Sequence, residues 1–383
     1  MIKPYDNVTV LDLTHDFGRY AGRLFADLGA TTIRVEPPGG LPDRVRIARN
    51  AAPELVSAFA FLNASKKSVV VDFESAHGMD EFTRLARSAD IVIVEAGGPL
   101  YDAPAFLRAA AGPSAIVTSI SPFGRKGPRS QDPASDLTLQ AAGGIAWLSG
   151  RPGEPPLRLP EGQATMIAGV YAAVATALSF ADAEATGQGH DVDVSVQECI
   201  AHSLQNSIQV YDFEDRISVR GGEGTRDASE DIFPCKDGFV FLAAPLPLGV
   251  SWSALVGLMR DAGHPAAAFF SEPRWKDRPW RLTREARESF RANLEPFMRT
   301  MTKDELTREA IARKIVMGPV STIADVFEDP QLAHRQFFVE LAAAGSKTIR
   351  FPGAPYALSE PVWSVRPAPR LGEHSPLQPP AAT

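Results

Sequence analysis

The sequence predicts an α/β protein with a Rossmann-like domain and a second, smaller domain inserted before a Pro-rich return. Three observations carry this. Short β-branched apolar runs alternate with helical patterns from the start of the chain. The texture changes after about residue 212 to a Gly-rich, charged loop and then a mainly helical segment holding three of the five tryptophans. The chain's 383 residues also exceed what one hydrophobic core usually covers.

The elements follow in order. "VTVLDLT" (8–14) has the apolar, β-branched character of a buried parallel strand. "GRYAGRLFADLGA" (18–30) sets Tyr20, Leu24, Phe25 and Leu28 on one helical face, and Gly29 ends that helix. "TTIRVEPP" (31–38) is a second strand stopped by two prolines. Strand, helix and strand make a βαβ unit with a right-handed crossover. "KSVVVDF" (67–73), "DIVIVEA" (90–96) and "SAIVTSISPFG" (114–124) continue as strands, with a helix over 77–89, which gives a doubly wound sheet. No GxGxxG follows the first strand, which argues against a nicotinamide or flavin dinucleotide.

Residues 163–181 read as a helix that is apolar nearly all round, through Met166, Ile167, Val170, Tyr171, Val174 and Leu178. Such a helix needs burial, by its own domain or by a partner subunit. "HDVDVSV" (190–196) is a strand and 197–211 a helix. The loop 220–238 opens on "RGGEG" (220–224), which reads equally as a mobile lid or as a domain linker. A strand at 239–245 precedes the helical segment 246–334, with Trp252, Trp275 and Trp280, and the Pro-rich return runs over 351–375.

The net charge of −7 argues against a nucleic-acid partner. Cys199 and Cys235 form no disulfide framework and have no metal-ligand spacing. No apolar run is read as reaching the roughly twenty residues of a membrane span, and the N-terminus has no signal-peptide pattern. A cytoplasmic protein without a metal is the expectation. His15, Asp16 and Phe17 lie where the first strand meets its helix, at the carboxyl edge where α/β sheets bind ligands and backbone N–H groups favour an anion. The other histidines share no spacing, and structural roles are expected for them.

Several stretches together resemble the family III CoA-transferases, the CaiB/BaiF group of formyl-CoA transferase, carnitine CoA-transferase and methylacyl-CoA racemase. They include "VLDLTHDFGRYAGRLFADLGATTIRVEPPGG", "FLNASKKSVVVDFESAHG", "ADIVIVE", "SPFGRKGP", "LQAAGGIAWLSG", "GQGHDVDVSVQE", "IFPCKDGFVFLAA", "GPVSTIADVFEDPQLAHRQFF" and "APRLGEHS", in order from about residue 8 to 375. The resemblance implies a large Rossmann-like domain made from both chain ends (1–212 and 335–383) and a small α+β domain (213–334). It also implies two subunits interlocked like chain links, with acyl-CoA as substrate.

In the family a carboxylate attacks the acyl-CoA thioester, giving a mixed anhydride and then an aspartyl-CoA thioester. That Asp sits four residues before a glycine in the first turn of the long helix. Counting back from Gly169 reaches Thr165, whose hydroxyl needs a base and would give a sluggish ester. Glu161 is the nearby carboxylate that could substitute. The racemase branch needs a His and an Asp on opposite faces of the α-carbon, and Ser135 and Thr165 stand there instead. Asp136 reads as a cap for the helix that follows it.

The resemblance also maps CoA contacts. Pro37, Ala96, Gly97, Pro104 and Pro133 fall where relatives carry basic, Asn or aromatic residues, while Arg34, Lys66, Lys67, Arg125 and Lys126 remain as cations for CoA phosphates. Three readings stay open. The first is a subunit lacking the nucleophile beside a paralogous Asp-bearing chain, as in benzylsuccinate CoA-transferase. The second is a self-sufficient acyl-CoA enzyme (transferase, lyase or isomerase) using a displaced carboxylate such as Glu161, and the third is a non-catalytic acyl-CoA-binding or scaffold protein; whether the interlocked dimer is a homodimer or a heterodimer stays open with them.

Overall fold

In a computed structural model of the chain, the structure describes residues 3–47, 57–151, 153–160, 162–204, 206–220, 226–342 and 348–374. Six strands, β1 (Thr9–Asp12), β2 (Thr31–Glu36), β3 (Lys67–Val70), β4 (Ile91–Glu95), β5 (Ile116–Ser121) and β6 (Asp191–Ser195), pair in parallel in the order β3-β2-β1-β4-β5-β6. This is a doubly wound sheet whose strand order reverses between β1 and β4. Every residue of β4 and β5 is buried, as their unbroken apolar character requires. β1 ends earlier than its apolar run suggests. The Asp12 Oδ1 accepts from the Thr14 N–H at 3.0 Å and from its hydroxyl at 2.6 Å, a side-chain turn that closes the strand.

The helix Arg19–Asp27 packs against the long helix Gln163–Thr186. Gly169 sets their approach: a Cβ there would lie 2.6 Å from the Tyr20 Cβ. The long helix exceeds the sequence reading. It has 24 residues and a mean hydropathy of 1.7 in its most apolar window, so by length and composition alone it could cross a membrane. Here it packs on β5 and on the Arg19–Asp27 helix, burying Ala164, Ala168 and Ala172 as a core helix does. Among the described residues nothing fully covers its other face, with Val170 44%, Val174 53% and Leu178 69% exposed. Alongside, a groove of about 320 Å³ is lined by Tyr20, Val170, Val174, Tyr356 and Trp363 among others.

The expected helix over 197–211 is two helices, Val196–His202 and Ser207–Glu214. Ser203 breaks it by donating its hydroxyl to the Ile200 carbonyl at 2.7 Å, in competition with the helical ladder. The Pro-rich return contains a hairpin that the sequence reading missed, β10 (Phe338–Ala342) with β11 (Thr348–Pro352). Its final stretch closes on the free edge of β3. The Ser68 N–H donates to His374 Nδ1 at 3.2 Å, the His374 N–H to the Ser68 carbonyl at 3.0 Å, and the Gly372 N–H to Ser68 Oγ at 3.0 Å.

The chain divides into two compact units. One comprises Met1–Gly150, Glu154–Ile217 and His334–Thr383, the other Arg151–Gly153 and Ser218–Ala333. In the second, β7 (Asp231–Cys235), β8 (Gly238–Ala243) and β9 (Val316–Val320) form an antiparallel sheet in the order β7-β8-β9. Its core gathers Phe233, Phe270, Trp275, Phe290 and Phe297. Within it the fully buried Arg281 grips Asp227 with two hydrogen bonds, donates to the Ala244 carbonyl, and lies 4.0 Å over the Trp252 ring. Of the "RGGEG" loop, residues 221–225 lie outside the described residues.

Around the carboxyl ends of β1 and β2 and the amino end of β3 in the first unit, six charged side chains balance one another. Lys66 Nζ lies 2.7 Å from Asp12 Oδ2 and donates to the Arg19 carbonyl at 2.7 Å. Arg34 bridges Glu36 and Asp43, and donates to Asn63 Oδ1 at 2.8 Å. Arg44 binds both oxygens of Glu36, which also accepts from Ser68 Oγ. Burial alone would raise the Glu36 carboxyl, but the Arg34 charge and the Arg44 hydrogen bonds hold it down to about 2. Burial draws the Lys66 ammonium down to about 8 against the pull of Asp12.

Two predictions follow from these buried pairs. Arg281→Met strands the Asp227 carboxylate in the core and should destabilise the second unit by about 3–5 kcal/mol, measured by urea unfolding. Glu36 has an ordinary value near 4.5 and a folded value near 2, so its contribution is complete above about pH 4.5 and is lost as the pH falls towards 2. That contribution is on the order of 3 kcal/mol. The stability gap between the natural chain and Glu36→Gln should therefore shrink steadily from pH 5 to pH 2.5 in denaturant titrations.

Candidate functional site

The strand order reverses between β1 and β4, so the crevice beyond their carboxyl ends is the expected ligand site of this sheet. Glu95, the last residue of β4, occupies the turn that follows β1. Its Oε2 accepts from the N–H groups of His15 at 3.3 Å, Asp16 at 3.1 Å and Gly18 at 2.9 Å. The backbone donors that the sequence offers to an external anion are thus engaged by a carboxylate of the chain itself. Burial pushes the Glu95 carboxyl up, and the nearby His15 and the turn's N–H donors draw it back. The sequence reading saw this Glu only as a strand end.

The three turn residues diverge. Phe17 is buried in the core beside Ala21, Ala164 and Ala168. His15 and Asp16 are partly exposed, with Arg19 Nη2 3.7 Å from Asp16 Oδ1. Arg34 and Lys66 are buried and engaged in the charge cluster, so neither offers its cation to solvent. Lys67 stands half-buried on β3, Ala96 is half-buried, and Gly97 is exposed in the left-handed region. Arg125 lies 4.0 Å over the Tyr101 ring, donates to the Tyr101 carbonyl at 3.0 Å, and gives its backbone N–H to the Asp193 carboxylate. Lys126 beside it is exposed. Among the described residues no group of three or more His, Cys, Asp or Glu is placed to hold a metal ion.

The start of the long helix is the second focus. Gly162 is its N-cap in the left-handed region and brings no side-chain cap. The cap comes from elsewhere, since the Ala164 N–H donates to Asp136 Oδ1 at 2.8 Å. Asp136 opens the helix Asp136–Ala142, but Ser135 is that helix's own cap, paired with Thr138 in a capping box. The expected capping role of Asp136 is therefore corrected: it caps the neighbouring helix. Its Oδ2 accepts from Gln140 Nε2 at 2.7 Å, and Gln140 Oε1 accepts from the Leu159 N–H at 2.9 Å. Thr165, next to the capped residue, is 2% exposed. Glu161 lies outside the described residues.

Comparison with known proteins agrees with this architecture. The family model for CoA-transferase family III matches residues 5–375. The chain is 35% identical to the BbsE subunit of succinyl-CoA:(R)-benzylsuccinate CoA-transferase from Thauera aromatica, over 98% of this chain and 93% of that one. It is 27% identical to succinate–glutarate CoA-transferase from Agrobacterium fabrum, over 97% and 94% of the two chains. A crystal structure of a CaiB/BaiF family protein from Brucella suis superposes with a TM-score of 0.83 at 25% identity, covering 98% of each chain. Matched nearly from end to end, the chain belongs to CoA-transferase family III.

Proposed function

We propose that this chain is the subunit lacking the nucleophile in a cytoplasmic, heteromeric family III CoA-transferase. It works beside a paralogous chain that carries the catalytic Asp and moves CoA between an acyl-CoA and a carboxylic acid. The observation that carries the reading is the start of the long helix. Thr165 stands where the resemblance puts the Asp, it is buried, and the helix end beside it is capped by Asp136. One similar protein is itself named as a subunit of a succinyl-CoA transferase, which supports a division of labour.

The uncovered face of the long helix supports assembly. Val170, Val174 and Leu178 form an apolar stripe of a kind that a partner chain buries, and an interlocked dimer provides that cover. The cations still exposed or half-exposed on this unit, Lys67, Arg125 and Lys126, together with the Ala96–Gly97 turn, are the proposed contacts for CoA. Arg34 and Lys66 are proposed to act from below, by fixing the turn that carries His15 and Asp16.

A second reading is favoured by Asp136, a partly exposed carboxylate beside Thr165. In that case the chain transfers acyl groups alone, through a displaced carboxylate. Trapping separates the two. Incubated alone with acyl-CoA and then with hydroxylamine or borohydride, the chain should show no mass change on Asp136, Glu161 or any other carboxylate. Mixed with an Asp-bearing paralogue, it should support CoA exchange at ordinary enzyme rates, roughly 1–1000 per second. A labelled Asp136 or Glu161 would replace the first reading by the second.

Assembly gives an independent check. Sedimentation of the chain expressed alone should show a two-chain particle at micromolar concentration. A monodisperse monomer would remove the interlocked assembly.

A further inference from the structure

The long helix sits in the core on a face that gives little grip along its axis. The side chains buried there are small, Ala164, Ala168, Ala172 and Ala173, with Gly169 set against Tyr20. Packed helices fix their register by standing the side chains of one in the gaps of the other, and a row of alanine and glycine has little to insert. Polar contacts hold this helix instead. Near its middle, the buried hydroxyls of Thr176 and Thr118 of β5 share a hydrogen bond of 2.7 Å. At its start, the Ala164 N–H donates to Asp136 Oδ1 at 2.8 Å. The pairs Tyr171–His202 and Asp182–His190 join exposed side chains, which follow a shift of the helix at little cost. The contact at the start belongs to a bracket. Asp136 Oδ2 accepts from Gln140 Nε2 at 2.7 Å, and Gln140 Oε1 accepts from the Leu159 N–H at 2.9 Å. One side-chain pair thus ties both the residue that leads into the long helix and its first turn. Gln140 is fully buried, and the helix that carries the pair is itself anchored. Gln197 Nε2 donates to the Ala142 carbonyl at 3.0 Å, and a Cβ on Gly143 would lie 2.5 Å from Ile200 Cγ2.

We propose that Asp136 and Gln140 are positioning residues that set the axial register of the long helix, and with it the alignment of Thr165 and of the Val170, Val174 and Leu178 stripe against the partner chain. This rests on the reading that the chain works in a two-chain CoA-transferase. Neither residue touches reacting atoms; both act through the helix. A helix of 24 residues moves as a rod, so a slip at its first turn is carried along to Leu178. Misplacement of reacting groups by about 1 Å costs on the order of a hundredfold in rate. A smooth buried face together with a polar bracket at one end therefore places the control of register beside Thr165.

The bracket can be broken and rebuilt at constant charge. Asp136→Asn sets an amide against the Gln140 amide, and Gln140→Glu sets a carboxylate against Asp136. In the double variant Asp136→Asn/Gln140→Glu the new amide donates to the new carboxylate. That carboxylate still accepts from the Leu159 N–H, and the amide oxygen still accepts from the Ala164 N–H. Assayed with an Asp-bearing paralogue, each single variant should keep the two-chain particle in sedimentation and hold KM within about twofold, while kcat per particle falls about tenfold to a hundredfold. The double variant should recover to within about threefold of the natural chain. A purely structural role would lower the unfolding midpoint and leave kcat per assembled particle alone. Should a single variant fail to fold, Thr176→Val releases the other contact with the core shape kept, and the same fall of kcat at constant KM is expected. Spin labels at Glu184→Cys on the long helix and Arg87→Cys on the helix Ala76–Arg87, both exposed positions, report the register directly. Their distance should shift or broaden in the single variants and return in the double variant. Unchanged kcat in both single variants overturns the proposal, as does a double variant that recovers nothing or a label distance that ignores the single variants. If the two natural chains exchange no CoA, the transferase reading falls, and the label distance alone decides the register.

Discussion

The charge cluster around the ends of β1, β2 and β3 is the constraint on which the rest of the first unit depends. Asp12, Glu36 and Asp43 face Arg34, Arg44 and Lys66, all at or near full burial. None of these groups is tolerable in the interior alone, and together they are neutral and hydrogen-bonded. Lys66 reaches both the end of β1 and the Arg19 carbonyl that opens the first helix, while Arg34 reaches the Thr14 carbonyl in the turn between them. The turn that carries His15 and Asp16 is therefore held from below by two cations and from the side by Glu95. The turn is thereby held in one geometry by contacts internal to the chain.

The same economy recurs at the two helix ends most suited to anions. The turn before the first helix is filled by Glu95 and the start of the long helix by Asp136, each an internal carboxylate sent from another element. A helix N-terminus stabilises negative charge whatever its source. On the proposed reading, a chain that leaves the reactive carboxylate to its partner still has to close the helix end where one would have acted.

The alternation of strands and helices was legible because parallel strands buried on both faces read as unbroken apolar runs, as β4 and β5 do. Their ends were less so, since β1 is closed by the Asp12 side chain rather than by a change in hydrophobicity. Arg34 and Lys66 read as phosphate contacts because a cation in sequence carries no sign of its partners. Those partners, Asp12, Asp43 and Asn63, come from separate segments and meet only in three dimensions. Glu95 was hidden for the same reason, as its donors lie 77 to 80 residues earlier in the chain. The proposed absence of the Asp at Thr165 is a question of identity at one helical position, which a sequence can raise, whereas the origin of the cap at that helix needed coordinates.

The closure of β3 by the C-terminal stretch bears on how the protein is made. Ser68 waits 304 residues for Gly372 and 306 for His374. During synthesis the second unit, nearly continuous from Ser218 to Ala333, emerges whole while β3 still presents an open edge. An unpaired edge strand is a template for the wrong neighbour. The nascent first unit thus passes through an interval in which the margin of its sheet is bare, and the emergence of Gly372 and His374, rather than the folding of any one strand, ends that exposure.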